Sequence, residues 1–203
     1  MYNMQENLRS DSGVVYKSEE ELYFSYWLDE AVGVGLVRKY KYQPLPFVLS
    51  SEVGFPTKER GKKEKKNLLL RDHGYQADFL IVWTFKAVSI GLCKHVKRPE
   101  DTGMFLFQEK NSELYSVIDT KGSFSRNYND LNFPINQKWV YSKYGIFVQK
   151  VIPFGSGAIS NCMFTKTWTP QKYAFRPKVK GGGFLKNQCE VKLLNEYLAK
   201  TKL

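Results

Sequence analysis

The chain has 203 residues, of which 42% are hydrophobic and 15% aromatic, so it is long and apolar enough for one substantial folded domain and too apolar for a disordered chain. Its apolar runs fall short of the roughly 18 residues that a membrane-spanning helix requires. Its three widely separated cysteines fit neither a disulfide framework nor a zinc site with Cys-x-x-Cys spacing. The chain has 31 basic and 20 acidic residues, and the net charge of +11 indicates either a polyanionic partner, with nucleic acid the leading class, or a protein that is merely basic.

Three regions differ in composition. Residues 1–13 lack hydrophobic periodicity and are expected to form a loose leader, which is polar and of mixed charge and therefore predicts no signal peptide. Residues 14–153 carry the periodic segments of a single domain. Residues 154–203 are rich in glycine, lysine and aromatic residues and are expected to form a basic C-terminal extension. With neither a signal peptide nor a disulfide pattern, we expect a cytoplasmic protein without a membrane anchor.

A helix is predicted to start directly after Ser18. Ser18 is a favourable N-cap residue, and Glu21, three positions later, completes a capping box. Apolar residues then recur at helical spacing until Gly33 or Gly35, where the helix is expected to end. This apolar face consists of Phe24, Trp27, Leu28 and Ala31. Because Glu21 borders the face, it either caps its own helix and no more, or reaches a site beneath the helix.

The next segment combines a strand with a basic run. Residues 36–49 predict a strand, in which Pro44 and Pro46 mark an edge or a bend. A long connection follows, and its basic run at 58–66 is either a solvated loop or a clamp on a phosphate backbone. The basic residues of the run are Lys58, Arg60, Lys62, Lys63, Lys65 and Lys66.

Two further predicted strands carry acidic residues. Residues 75–84 form a strand with Asp78 inside its apolar body, and residues 113–121 form a strand that ends in Asp119 and Lys121. Asp119 and Lys121 lie two positions apart, so their side chains point to the same face of a sheet.

The remaining elements complete a mixed α/β pattern. They are a hairpin extension at 88–96, a short strand at 104–107, a polar turn at 123–130, a helix at 135–144 that Pro134 introduces, a strand at 146–152 and a short helix at 190–198. A helix between the third and fourth main strands makes a crossover. We therefore predict an α/β (α+β) fold with a mixed sheet.

The first three main strands are expected to form an antiparallel meander, which places Asp78 beside Asp119. Directly opposed residues on neighbouring strands have Cβ atoms about 5 Å apart, and like charges there are destabilising. A shared proton or a divalent cation relieves that repulsion. Carboxylates with waters and a backbone carbonyl are ligands that Mg²⁺ selects, and the carbonyl of Thr120 is a candidate for the extra oxygen.

The other charged residues fit the same chemistry. Lys121 beside a metal ion orients an attacking water or stabilises negative charge in the transition state. Glu21 from the first helix is a candidate ligand for a second ion, or a partner of a water bound to the metal. Metal-aided displacement at phosphorus needs such oxygen ligands together with a positioned nucleophile.

These residues resemble the PD-(D/E)XK nuclease superfamily, in particular small phage-encoded nucleases related to Holliday-junction resolvases. The resemblance covers residues 14–153, with Ala77 in place of the proline of the superfamily motif. Its motifs are the Ser-x-x-Glu helix start, Gln43-Pro44, the Tyr-x-Ala-Asp-Phe strand at 75–79, the Asp-x-Lys-Gly strand end at 119–122, and a downstream helix with Lys138 or Lys143.

The resemblance implies a restriction-endonuclease-like α-β-β-β-α-β core and Mg²⁺-dependent hydrolysis of DNA phosphodiester bonds, with Mn²⁺ able to substitute. It implies Asp78, Asp119, Lys121 and Glu21 as catalytic residues, structure-selective cutting of branched DNA, and the host cytoplasm as location. One site cuts one strand, so paired cuts predict a homodimer.

Two alternatives stay open at this stage. One is a non-catalytic nucleic-acid-binding or assembly protein that keeps the nuclease fold, and the other is an RNA-directed nuclease. The aromatic residues of the extension, Trp168, Tyr173 and Phe175, either stack on exposed bases or pack against the core.

Overall fold

The computed structural model describes residues 8–57, 65–97, 104–122, 128–154, 162–175 and 191–201. Within these ranges the fold is mixed α/β, as predicted. The helices are α1 (Glu19–Gly33), α2 (Phe85–Ser89), α3 (Tyr128–Tyr144), α4 (Met163–Lys166), α5 (Gln171–Ala174) and α6 (Leu194–Lys200). The strands are β1 (Val37–Tyr42), β2 (Phe47–Ser50), β3 (Val53–Thr57), β4 (Lys65–Leu70), β5 (His73–Tyr75), β6 (Phe79–Trp83), β7 (Cys93–His95), β8 (Phe105–Lys110), β9 (Glu113–Thr120) and β10 (Val148–Val151).

A six-stranded mixed sheet forms the centre of the fold. Strands β1, β6 and β9 are neighbours and antiparallel, which confirms the predicted meander. Strand β8 continues the sheet beyond β9, and β7 pairs with β8 in parallel. Helix α3 then crosses back so that β10 lies parallel to the second half of β9. No helix in the described ranges is long and apolar enough to cross a bilayer.

Helix α1 covers one face of this sheet, and its predicted apolar face is confirmed. Phe24, Trp27, Leu28 and Ala31 are fully buried. The Ser18 hydroxyl accepts a hydrogen bond from Glu21 N at 3.2 Å, so the predicted N-cap is also confirmed. The second half of the capping box is wrong, because the Glu21 carboxylate accepts from Lys17 N, one residue earlier than the box requires.

Two of the predicted strands are each divided in two. Residues 36–49 form β1 and β2, because the chain turns at Gln43, with a φ of 45°, and Pro44 follows directly. Residues 75–84 include the end of β5 and all of β6. Strands β2 and β5 pair with each other in a small sheet of their own. Asp78 therefore lies at the entrance of β6 rather than inside a strand body.

Other predicted boundaries also need correction. The basic run is not one long connection, because Lys65 and Lys66 begin β4, which pairs with β3; residues 58–64 lie outside the described ranges. The predicted hairpin extension at 88–96 is wrong, since α2 precedes a turn at Gly91, with a φ of 71°. Pro134 lies inside α3, at the cost of one backbone hydrogen bond, instead of introducing the helix. The last helix begins at Leu194.

Two glutamine side chains join β10 to β8. The Gln149 side chain accepts from Leu106 N at 2.8 Å and donates to Met104 O at 3.0 Å. The Gln108 side chain donates to Phe147 O at 3.1 Å and accepts from Phe147 N at 3.0 Å. These amides take the place of backbone partners, so they fix β10 beside the end of β9.

The described part of the C-terminal extension packs against α1. Trp168 is fully buried, and its ring stacks on Trp27 with 4.2 Å between centroids. Its indole N–H donates to Glu30 Oε2 at 2.9 Å. Tyr173 is also buried, whereas Phe175 is 73% exposed. Packing is thus the confirmed role of Trp168 and Tyr173, and Phe175 stays accessible.

The extension should therefore contribute to the stability of the whole domain. We expect Trp168→Ala to lower the free energy of unfolding by about 3–5 kcal/mol, because a large buried aromatic ring is lost. Chemical denaturation followed by circular dichroism measures this change. Phe175→Ala is the matched control and should change stability by no more than about 0.5 kcal/mol. Equal effects of the two substitutions would contradict the packing described here.

Candidate active site

Two carboxylates oppose each other where β6 begins and β9 ends. Phe79 pairs with Ile118 and Leu80 with Val117 in the antiparallel register, so the next pair outward is Asp78 and Asp119. Asp78 N donates to Ile118 O at 3.0 Å, which keeps this part of the chain against β9. The sequence-predicted juxtaposition of the two acids is present in the structure.

Asp119 is almost completely enclosed, with 3% of its surface exposed. Its Oδ2 atom accepts a hydrogen bond from the Tyr75 hydroxyl. Its Oδ1 atom forms an ion pair with Lys121 Nζ, yet it accepts no well-aligned hydrogen bond from the described residues. The Lys121 ammonium is thus the partner of this buried oxygen, which has a further lone pair with which to accept another ligand.

Asp78 is fixed from one side by Thr120. Its Oδ2 atom accepts from Thr120 N at 2.7 Å and from Thr120 Oγ1 at 2.8 Å. Burial raises the pKa of Asp78 to about 7, and the charges of Asp119 and Glu21 add to that increase, while the two Thr120 hydrogen bonds oppose it. The desolvation and repulsion therefore outweigh the stabilising hydrogen bonds when no cation is present.

Lys121 follows β9 directly and lies against Asp119. Its backbone N–H donates to Val151 O at 2.9 Å, so the parallel strand β10 positions it. About a quarter of its side chain is exposed, and its ammonium pairs with Asp119 Oδ1. The ammonium is thus in contact with the carboxylate, and part of the Lys121 side chain reaches solvent.

Glu21 lies on the α1 side of the pair, and its carboxylate is already engaged. Its Oε2 atom accepts from Lys17 N at 2.8 Å and from the Tyr42 hydroxyl at 2.5 Å. Only 7% of its surface is exposed. Its charge is close enough to raise the pKa of Asp78, but two hydrogen bonds hold one of its oxygens toward its own helix start.

The donor set fits one divalent cation. The described residues contain no cluster of three or more His, Cys, Asp or Glu side chains arranged to bind a metal. Asp78 and Asp119 supply two carboxylates, and the Asp119 Oδ1 atom has acceptor capacity to spare. A site with few carboxylates, completed by a backbone carbonyl such as that of Thr120 and by waters, suits Mg²⁺. As a ligand for a second ion, Glu21 stays a prediction.

The lysines predicted to bind nucleic acid are distributed differently. Lys143 Nζ donates to Val48 O at 2.8 Å, so it anchors α3 to β2. Lys138 is exposed and lines a separate cavity beside α3. Lys65 and Lys66 begin β4. The remaining predicted residues, Lys58, Arg60, Lys62 and Lys63, lie outside the described ranges.

Sequence patterns missed three residues that contact the site. The Tyr75 hydroxyl donates to Asp119, and burial together with the Asp119 charge raises the pKa of Tyr75. The Tyr42 hydroxyl binds Glu21. The Glu20 carboxylate lies beside Gly122, where an added Cβ atom would come within 2.8 Å of its Oε1 atom. These contacts depend on the junctions between sheets, which local periodicity does not encode.

A scan against protein-family models and searches of curated proteins and of solved structures found no match. The resemblance to PD-(D/E)XK nucleases therefore stays a prediction that rests on the residues of this chain.

The pKa of Asp78 predicts a pH-dependent loss of stability in metal-free protein. An unfolded aspartate has a pKa of about 3.9, and the folded one has a pKa of about 7. Between these values the folded state retains a proton that the unfolded state releases, so Asp78 lowers the free energy of unfolding by about 1.4 kcal/mol per pH unit as pH rises. Asp78→Asn removes this titration, and the amide oxygen can still accept both Thr120 hydrogen bonds.

Urea denaturation in EDTA at pH 5 and pH 8 tests this expectation. The Asn variant should become more stable relative to wild type at pH 8 than at pH 5. Asp72→Asn, at an exposed position, should follow wild type at both values. The same stability difference between Asp78→Asn and wild type at both pH values would show that Asp78 does not titrate in this window.

Proposed function

We propose that the chain is a Mg²⁺-dependent DNA endonuclease of the PD-(D/E)XK type. The observation that carries this proposal is the opposition of Asp78 and Asp119 at adjoining strand ends, with the Lys121 ammonium against Asp119. The order α1, β1, β6, β9, α3, β10 is compatible with a restriction-endonuclease-like α-β-β-β-α-β core. Strands β2 to β5 are then insertions between its first two strands.

The electrostatics support a catalytic rather than a structural role for the pair. Burial raises the pKa of Asp78, and the charge of the neighbouring, enclosed Asp119 raises it further. Strongly perturbed pKa values cluster at functional sites, where a bound ion or substrate offsets their cost. An apolar pair at these positions would stabilise the apo fold more, so the acids are best explained by a ligand.

Each residue of the site has a role that follows from its contacts. The Tyr75 hydroxyl holds one oxygen of Asp119. The amide and hydroxyl of Thr120 hold one oxygen of Asp78, so both carboxylates are oriented. The Lys121 ammonium is available to hold a water for attack and to offset negative charge at phosphorus. A bound Mg²⁺ would polarise the phosphoryl oxygen and increase the acidity of a bound water. Asp78, Asp119 and the Thr120 carbonyl are its proposed ligands.

The charge of the chain supports DNA as the substrate. A net charge of +11 favours binding to a polyanion with strongly salt-dependent affinity. Since one site cuts one strand, cutting both strands of a duplex or resolving a branched junction requires two copies. A homodimer acting on branched DNA is therefore part of the proposal, as is a cytoplasmic location.

One observation favours a non-catalytic alternative. Tyr75 and Lys121 already satisfy much of Asp119 within the protein, as they would in a site that only stabilises the fold. A nucleic-acid-binding or assembly protein with an idle nuclease site is the resulting second candidate. Metal-dependent cleavage separates the two.

The decisive substitution is Asp119→Asn. We expect cleavage to fall by at least about 100-fold, because loss of even an indirect partner of a metal site costs about 10–100-fold. DNA binding in EDTA should persist, since the phosphate contacts come from lysines elsewhere. Purified protein is incubated with linear, nicked, flap and four-way-junction DNA and with RNA, under Mg²⁺ or EDTA. Asp72→Asn is the matched control and should cleave like wild type.

Each outcome of this experiment has a distinct meaning. Tight DNA binding without Mg²⁺-dependent cutting of any substrate would favour the non-catalytic candidate. Cutting of RNA alone would identify an RNA-directed nuclease. Equal cutting by wild type and Asp119→Asn would leave a nuclease whose active site lies elsewhere.

A further inference from the structure

A cavity of about 640 Å³, separate from the candidate active site, opens beside the C-terminal half of α3. It lies between that helix, the residues that follow β7 and the residue that precedes β10. The side chains that matter for its chemistry are Lys97, Lys138, Tyr141, Ser142 and Phe147. Its volume is within the range of about 300–1,000 Å³ that is typical of small-molecule sites.

The polar groups of this cavity are mainly hydrogen-bond donors. Lys97 and Lys138 come from different elements and line the same space, together with Tyr141 and Ser142. No acidic residue is among the described residues of the lining. Two lysines that line one cavity, with no carboxylate among its described lining residues, favour an anion over a cation as the ligand.

The apolar part of the lining restricts the kind of anion. Phe147 and Val96 supply an apolar wall, and the Tyr141 ring adds an aromatic surface. The Gln137 amide nitrogen is occupied, since it donates to Val148 O at 2.6 Å, which fixes the side chain in the wall. A planar apolar group attached to a phosphate matches both halves of the cavity. A bare inorganic anion would match only one.

We propose that this cavity binds one nucleotide unit, with its phosphate at Lys97 and Lys138 and its base against the apolar wall. Bases stack on aromatic side chains irrespective of sequence, so such a site would be tolerant of sequence. The resemblance to nucleases suggested Lys138 as a nucleic-acid contact, but it gave no role to Lys97, Ser142 or the cavity.

The backbone of β10 connects the cavity to the candidate active site. Phe147 precedes β10, and Lys150 of β10 pairs with Asp119. Three strand residues span about 10 Å, which corresponds to about three nucleotides at the rise of B-form DNA. Resting on the proposed function, the nucleotide unit belongs to the strand cut at Asp119, a few positions from the cut. A free nucleotide has the same chemistry and is separated from it by experiment.

The test uses the double variant Lys97→Gln/Lys138→Gln in the full chain. Binding of a fluorescent single-stranded DNA is measured in EDTA at several salt concentrations, and binding of a deoxynucleoside monophosphate is measured by calorimetry. The slope of log affinity against log salt should become shallower by about 0.7, because one phosphate contact is lost. Binding of the mononucleotide should disappear. The control variant Lys41→Gln/Lys110→Gln removes the same charge outside this cavity. It should keep the wild-type salt slope and still bind the mononucleotide.

The outcomes distinguish a DNA strand from a free nucleotide as the ligand of the cavity. They also distinguish failure of the cavity proposal from failure of the proposed nuclease function. A shallower salt slope for DNA binding together with loss of mononucleotide binding in the cavity variant identifies a subsite for the DNA strand. Loss of mononucleotide binding with unchanged DNA binding identifies a free nucleotide as the ligand of the same site. If the cavity variant matches the control variant in both readouts, no nucleotide binds there. Since binding is measured without cleavage, failure of the Asp119 assignment leaves this result unaffected.

Discussion

The repulsion between Asp78 and Asp119 is the constraint around which this structure is arranged. The register of β6 and β9 sets the two carboxylates opposite each other, and the burial of Asp119 removes most of the water that would screen its charge. Desolvation and the neighbouring charges raise the pKa of Asp78. Such a pair persists where the surrounding fold holds it in place.

The supporting contacts come from separate parts of the fold. Tyr75 reaches Asp119 from the small sheet of β2 and β5, and β10 positions Lys121 through Val151 O. The glutamine side chains that link β8 and β10 keep β10 in place. On the other side, the C-terminal extension holds α1, because its Trp168 stacks on Trp27 of the helix. The candidate site thus lies at the junction of these elements.

The predictable part of the fold is the part that local patterns encode. Helix α1 follows from its N-cap and its apolar spacing, and the β9 strand with Asp119 and Lys121 follows from its β-branched run. The strand boundary before Asp78 was not predictable from local patterns. Tyr75 pairs with Phe47 of β2, in the small sheet, and the chain joins the main sheet only at Phe79. Pro134 was misplaced because tertiary packing outweighs the cost of a proline within α3. The Tyr75 contact and the cavity at Lys97 depend on distant residues that only the folded chain brings together.

Divalent cation binding in the absence of nucleic acid tests the central claim most directly. Mn²⁺ is titrated into the protein at pH 8, above the pKa of Asp78, and free Mn²⁺ is followed by electron paramagnetic resonance. We expect wild type to bind Mn²⁺ in competition with Mg²⁺, and Asp78→Asn and Asp119→Asn each to weaken that binding by about tenfold or more. Asp72→Asn should bind like wild type. Equal Mn²⁺ binding by all four proteins, or none by wild type, would contradict a metal site at the carboxylate pair.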